Sequence, residues 1–153
     1  MISSSIKVLQ INLNRSQIAT KSALEVAIEL KADLIIVQEP WITPGPDYSS
    51  CRSVSHQGFT QILPRNNGLR PRTLAYISKG FKPLVNIAAS SPLDPDLLII
   101  DIIEENNKIQ FYNIYNKADQ LGSNIDTLSR CLYSLLVYSS AIILGDFNTH
   151  HPW

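Results

Sequence analysis

The sequence predicts a layered fold of the α/β or α+β class, and two observations carry that prediction. The N-terminal part reads as strand, helix, strand, and the middle holds five short β-like runs separated by Pro, Gly, Asn and Asp clusters. Ile6 to Leu13 ("IKVLQINL") alternates apolar and polar side chains, the period of a half-buried strand. After Asn14 the period changes. Ser16 can cap a helix, and Ala23, Leu24, Ala27 and Ile28 share one face within Gln17 to Lys31. Asp33 then leads into Leu34-Ile35-Ile36-Val37, continuously apolar as in a strand buried on both faces, and Pro40 stops it.

The middle runs are Phe59 to Leu63, Thr73 to Ser78, Leu84 to Ala88, Leu97 to Ile103 and Ile109 to Tyr115, a spacing that predicts antiparallel meanders. "EENNK" (Glu104 to Lys108) fits a hairpin turn, because Asn tolerates positive φ. A second helix is predicted from Ser123. Ser123 and Asp126 form an S-x-x-D capping box, and Ile125, Leu128, Leu132, Leu135 and Leu136 form an apolar stripe beside Cys131. Val137 to Leu144 returns as a strand. Thr43 to Ser55 is the loopiest stretch, but it is too short to divide domains.

At 153 residues and 44% hydrophobic content, the chain can fill one core. Thirteen basic residues balance thirteen acidic ones, so no global field announces nucleic acid or a membrane. Cys51 and Cys131 lack CxxC or metal-ligand spacing, which points to a reducing compartment. No apolar run approaches the ~20 residues of a membrane helix. Asn12, Asn14 and Arg15 interrupt the start where a signal peptide would be continuous. The expectation is a soluble, intracellular protein with no membrane partner.

Polar residues interrupt the strands in an orderly way. Asn12 and Asn14 end the first strand, Glu39 follows the second, and Asp146 and Asn148 follow the last. In layered sheets, ligand crevices form at strand C-termini. Taken singly, each is also an ordinary turn residue. Together, a carboxylate with amide oxygens and little sulfur suits a hard cation, Mg²⁺ or Mn²⁺, which takes one or two carboxylates and keeps waters. Asp146 is suited to orient or polarise an attacking water, and Asn12 and Asn148 to hydrogen-bond phosphate oxygens without adding charge. Tyr115, in "NIYNK", either offers its phenol to the same phosphate or is an ordinary strand aromatic with a solvated hydroxyl.

"LQINLN", "VQEPW", "NIY" and "GDFNTHHPW", in this order, resemble the endonuclease/exonuclease/phosphatase superfamily. Within it they are similar to the apurinic-endonuclease-like domain of Jockey-type and related non-LTR retrotransposons. The resemblance runs from the first strand to Trp153 and implies a four-layer sandwich of two mixed β-sheets flanked by helices. It also implies Glu39 as the metal ligand with Asn12 as its supporting amide, and Tyr115 as a phosphate contact. Asp146 and Asn148 become positioners of water and phosphate, and Asn14 also matches the first motif. The implied activity is metal-dependent nicking of target DNA. The implied partners are DNA, the element RNA and a downstream reverse transcriptase, with the parent protein expected in the nucleus.

Members of the family continue past GDFN to a Ser-Asp-His motif carrying an essential His, which this sequence does not contain. The expectation is therefore a partial domain over 1–153 with an incomplete active site. His150 and His151 fall in the clade-specific extension. Alternatives are an inactive remnant that still binds nucleic acid, or another superfamily phosphatase or phosphodiesterase. The last is disfavoured by the HHPW motif and by a basic middle.

That middle, from Tyr48 to Leu93, has no Asp or Glu but holds Arg52, Arg65, Arg70, Arg72, Lys79 and Lys82. Arg65, Arg70 and Arg72, near the turn signal Asn66-Asn67-Gly68, are candidate DNA-phosphate contacts. The stretch fits a solvated outer face equally well.

Overall fold

The computed structural model describes residues 5–65, 68–135 and 140–148. Side-chain parity along the strands builds its layers. The first sheet contains β1 (Val8–Asn12), β2 (Leu34–Gln38), β3 (Phe59–Ile62) and β4 (Thr73–Ser78), in the order β1-β2-β4-β3. The second contains β5 (Leu84–Ile87), β6 (Leu97–Glu104), β7 (Asn107–Tyr115) and β8 (Ala141–Asp146), in that order. Each sheet is mixed: β1 pairs with β2 and β7 with β8 in parallel, and the other pairs are antiparallel.

All five residues of β2 are buried, because the strand is covered on both faces. Ile35 and Val37, with Leu74 and Tyr76, pack under α1 (Gln17–Glu29), which contributes Ala23, Leu24 and Ala27. Leu34 and Ile36, with Ala75 and Ile77, face the second sheet and meet Leu98, Ile100, Ile102 and Phe111. The outer face of the second sheet places Leu97, Ile99, Tyr112 and Ile114 against Cys131, Leu128 and Leu135. Four layers result, and each fully buried Leu or Ile among them stabilises by about 1.5–3 kcal/mol. Burial, with Asp94 adding, pushes the Cys131 thiol up to about 12, so it stays protonated and acts as a packing group.

Local signals hold where tertiary contacts agree with them. Ser16 does cap α1, its hydroxyl accepting from the Ala19 N–H at 3.1 Å. Ile28 does not join the buried face, which takes Thr20 instead. The hairpin between β6 and β7 turns where expected, but its positive φ (+53°) falls on Glu105 and not on an asparagine. The second helix departs most. Ser123 spends its hydroxyl on Asp119 and Ile125, Asp126 becomes the cap, and α2 spans only Thr127–Arg130 before a 3₁₀ turn at Leu132–Leu135. Ile125 and Leu132 of the expected stripe are exposed. Leu136 and the start of the last expected strand, Val137 to Ser139, lie outside the described residues. Among the described residues no helix is long and apolar enough to cross a membrane.

Candidate active site

The two parallel pairs, β1/β2 and β7/β8, bring four strand C-termini to one edge of the sandwich. Side chains join the sheets there. Gln10 Nε2 donates to the Gly145 carbonyl at 2.9 Å, Asn12 Nδ2 to Asp146 Oδ2 at 3.0 Å, and the Tyr115 hydroxyl to Glu39 Oε1 at 2.9 Å. Gln10, Asn12 and Gln38 from the first sheet and Asp146, Phe147 and Asn148 from the end of the second wall an open cleft of about 490 Å³, and Glu39, bonded to Tyr115, follows Gln38 in the chain.

Glu39 leaves β2 in the left-handed region, at φ +48°, a conformation that costs a non-glycine residue about 1–3 kcal/mol. Two backbone bonds hold it there: its N–H donates to the Arg72 carbonyl at 2.9 Å, and its carbonyl accepts from the Arg15 N–H at 2.8 Å. Its carboxylate is mostly buried, and the Arg15 guanidinium stands 3.6 Å from Oε1. Burial first, then the hydrogen bond to Glu39, pushes the Tyr115 phenol up from 10 to about 12. A value raised on folding stabilises fully below the unfolded value and is lost as pH rises through the folded one. Tyr115→Phe is therefore expected to make the fall in stability between pH 10 and 12 shallower, which urea unfolding across that range measures.

Asp146 and Asn148 form a second rigid unit. The Asn148 N–H donates to Asp146 Oδ1 at 3.1 Å, and its amide donates to the Asn116 carbonyl at 3.0 Å, with φ at +46°. Asn116 returns the contact, donating from its backbone to the Asp146 carbonyl at 2.8 Å and from its side chain to the Phe147 carbonyl at 3.1 Å. Gly145 makes the close approach possible, since a Cβ there would lie 2.2 Å from the Ile114 carbonyl oxygen.

Three contributors escaped the sequence reading. Gln38, fully buried, donates to Asn113 Oδ1 at 2.7 Å, and Asn113 donates to the Val37 and Leu74 carbonyls at 3.0 Å, tying the sheets together behind the cleft. An amide closing an otherwise apolar buried strand was the available signal. Arg15 read only as one of the polar residues that interrupt the N-terminal apolar run.

The six cations of the basic middle do not form one surface. Arg65 and Arg70 lie at the site end, Arg65 exposed and Arg70 donating to the Pro40 carbonyl at 3.3 Å. Lys79 and Lys82 follow the opposite end of β4. Arg72 requires a correction. It is 6% exposed, and its guanidinium is committed to Asp96 through both carboxylate oxygens and to the Ala118 carbonyl, so it is not a DNA contact. Its role is structural: it lies 5.3 Å over the Tyr115 ring, and its carbonyl holds Glu39.

Among the described residues no cluster of three or more His, Cys, Asp or Glu side chains forms a metal cage. A hard divalent ion does not need one, because it takes one or two carboxylates and keeps its waters. Glu39 Oε2 has no hydrogen-bond partner among the described residues, and Asn12 Oδ1 accepts only the Asn14 N–H, at 2.8 Å. These oxygens fit such an ion. Asn14 sits in the β1–α1 turn at φ +45°, with its backbone in that bond. His150 and His151 lie outside the described residues.

No protein-family model matches the sequence, and no protein of curated function does so. Solved structures do match. The endonuclease domain of TRAS1, a telomere-specific non-LTR retrotransposon, aligns with a TM-score of 0.67 at 17% identity, covering 95% of this chain and 61% of that domain. An endonuclease/exonuclease/phosphatase family protein from Leptotrichia buccalis aligns with a TM-score of 0.57 at 15% identity, over 95% of this chain and 69% of that one. The AP endonuclease LMAP of Leishmania major aligns with a TM-score of 0.51 at 14% identity, over 86% and 44%. The chain therefore has the endonuclease/exonuclease/phosphatase fold, in a length about three-fifths that of the TRAS1 domain.

Proposed function

We propose that the chain is a divalent-cation-dependent phosphodiester hydrolase module acting on DNA, of the kind that nicks target DNA for a non-LTR retrotransposon. The observation that carries this reading is the convergence of Asn12, Glu39, Tyr115, Asp146 and Asn148 on one sheet edge. The likeness in fold to the TRAS1 endonuclease domain supports it. Glu39 and Asn12 hold Mg²⁺ or Mn²⁺, which when bound supplies positive charge to a phosphoryl group. Asp146, oriented by Asn12 and Asn148, positions the attacking water and polarises it. The Asn148 amide donates its second N–H to a phosphate oxygen as a neutral group, and the Tyr115 hydroxyl, kept protonated, does the same on release of its bond to Glu39. Arg65 and Arg70 contact flanking phosphates. In the parent protein, the element RNA and a reverse transcriptase domain are the partners, and the nucleus is the place of action.

One observation favours a second reading, DNA binding without hydrolysis. Among the described residues the only histidine is His56, which stands 3.5 Å from Glu25 and packs on Phe59, remote from the cleft's residues. Nicking of supercoiled plasmid by the purified chain with Mg²⁺ decides between them. The expected result is nicking that Glu39→Gln and Asp146→Asn abolish. Retention of DNA with no nicking supports the second reading, and nicking indifferent to both substitutions overturns the assignment of the site.

A further inference from the structure

We propose that Arg15 and a divalent cation compete for the Glu39 carboxylate, so that a cation at Glu39 frees the Arg15 guanidinium to bind a substrate phosphate. The inference rests on the phosphodiesterase reading and adds a residue and a binding order to it.

The β1–α1 turn is built to hold Arg15 at this place. Asn14 and Arg15 are consecutive non-glycine residues in the left-handed region, at φ +45° and +58°. Such a pair persists only where surrounding bonds fix it. Here Asn12 Oδ1 accepts the Asn14 N–H, the Leu13 carbonyl accepts the Ser16 N–H at 2.9 Å, and the Arg15 N–H reaches the Glu39 carbonyl at 2.8 Å. Residue 15 is thereby registered against residue 39 through the backbone, whatever the guanidinium does.

The guanidinium itself is loosely held. It stands 3.6 Å from Glu39 Oε1, beyond a direct hydrogen bond, and its side chain is 50% exposed. Arg72 and Arg130 differ: their side chains are 8% and 14% exposed, and both are tied to Asp96. Of these three, only the Arg15 side chain is half exposed, so its own charge can move into water, and a cation taking its place keeps the mostly buried Glu39 carboxylate paired.

Charge sets the order of events. Glu39 and Asp146 bring two carboxylates to the edge, and Arg15 offsets one of them. A phosphodiester monoanion approaching that edge is repelled. A divalent cation at Glu39 displaces the weaker, exposed pair, reverses the local charge, and leaves Arg15 beside the place where the phosphate arrives.

The test measures Mn²⁺ binding to the full 153-residue chain, from the free-ion electron paramagnetic resonance signal, and anisotropy of a labelled phosphorothioate duplex with and without Mn²⁺. Arg15→Gln is expected to tighten Mn²⁺ binding by about threefold, the size of a half-exposed ion pair, and Arg15→Lys to restore the wild-type value. Arg15→Gln should also weaken duplex binding more with Mn²⁺ than without. Unchanged or weaker Mn²⁺ binding in Arg15→Gln, or an equal duplex effect under both conditions, overturns the exchange and leaves the hydrolase reading standing. Mn²⁺ binding that Glu39→Gln does not alter removes the cation site, and both proposals fall with it.

Discussion

Asp96→Ala is expected to destabilise the fold by about 3–5 kcal/mol, because it leaves buried guanidinium charge unpaired. Asp96 is fully buried between two arginines. Arg72 grips both of its oxygens, and Arg130 Nη2 donates to Oδ2 at 2.6 Å. After the substitution Arg130 keeps Asp94, at 3.0 Å, while Arg72 keeps only the Ala118 carbonyl. The damage reaches the site, since the Arg72 carbonyl holds the Glu39 N–H and the Asp96 carbonyl accepts the Tyr115 N–H at 2.9 Å. Urea unfolding followed by circular dichroism measures the loss. Replacing the cluster together, Asp96→Leu with Arg72→Met and Arg130→Met, should recover much of the stability, because no charge is then left behind. A loss below about 1 kcal/mol for Asp96→Ala would contradict the buried pairing.

The second large effect is on catalysis. Glu39→Gln preserves shape and can still accept the Tyr115 hydroxyl, so the fold should change by less than about 1 kcal/mol. It removes the charge on which cation binding depends, and plasmid nicking should fall at least about 100-fold. Asp146→Asn acts differently. One oxygen can still take the Asn148 N–H, but the new amide faces the Asn12 Nδ2 donor, and the acceptor for the water proton is gone. A loss of about 10²–10⁴-fold is expected. Thermal unfolding of both variants near the wild-type temperature separates lost chemistry from lost fold.

Much of this arrangement was legible in the sequence, for identifiable reasons. A strand buried on both faces writes itself as Leu34 to Val37, and strand ends reveal polar residues where the apolar period stops, so Asn12, Glu39, Tyr115 and Asp146 stood out. Long-range pairing leaves no such mark. The acid-free stretch ends at Leu93, and the carboxylate that pairs with its Arg72 stands three residues later, at Asp96. Counting charge within the stretch made Arg72 a surface cation; its partner 24 residues away made it a buried one. Ser123 shows a related limit, because its side chain had two local partners to choose from and took Asp119. Arg15 was hidden for a further reason: its relation to Glu39 depends on the parallel pairing of β1 with β2.

The most direct measurement is paramagnetic broadening by Mn²⁺ in amide correlation spectra of the ¹⁵N-labelled chain. One site at the strand ends should broaden the Asn12 and Asn148 side-chain amides and the Tyr115 backbone at substoichiometric Mn²⁺, and Glu39→Gln should abolish the effect. Broadening that spares these groups, or that survives Glu39→Gln, would contradict a cation and phosphate site at this edge.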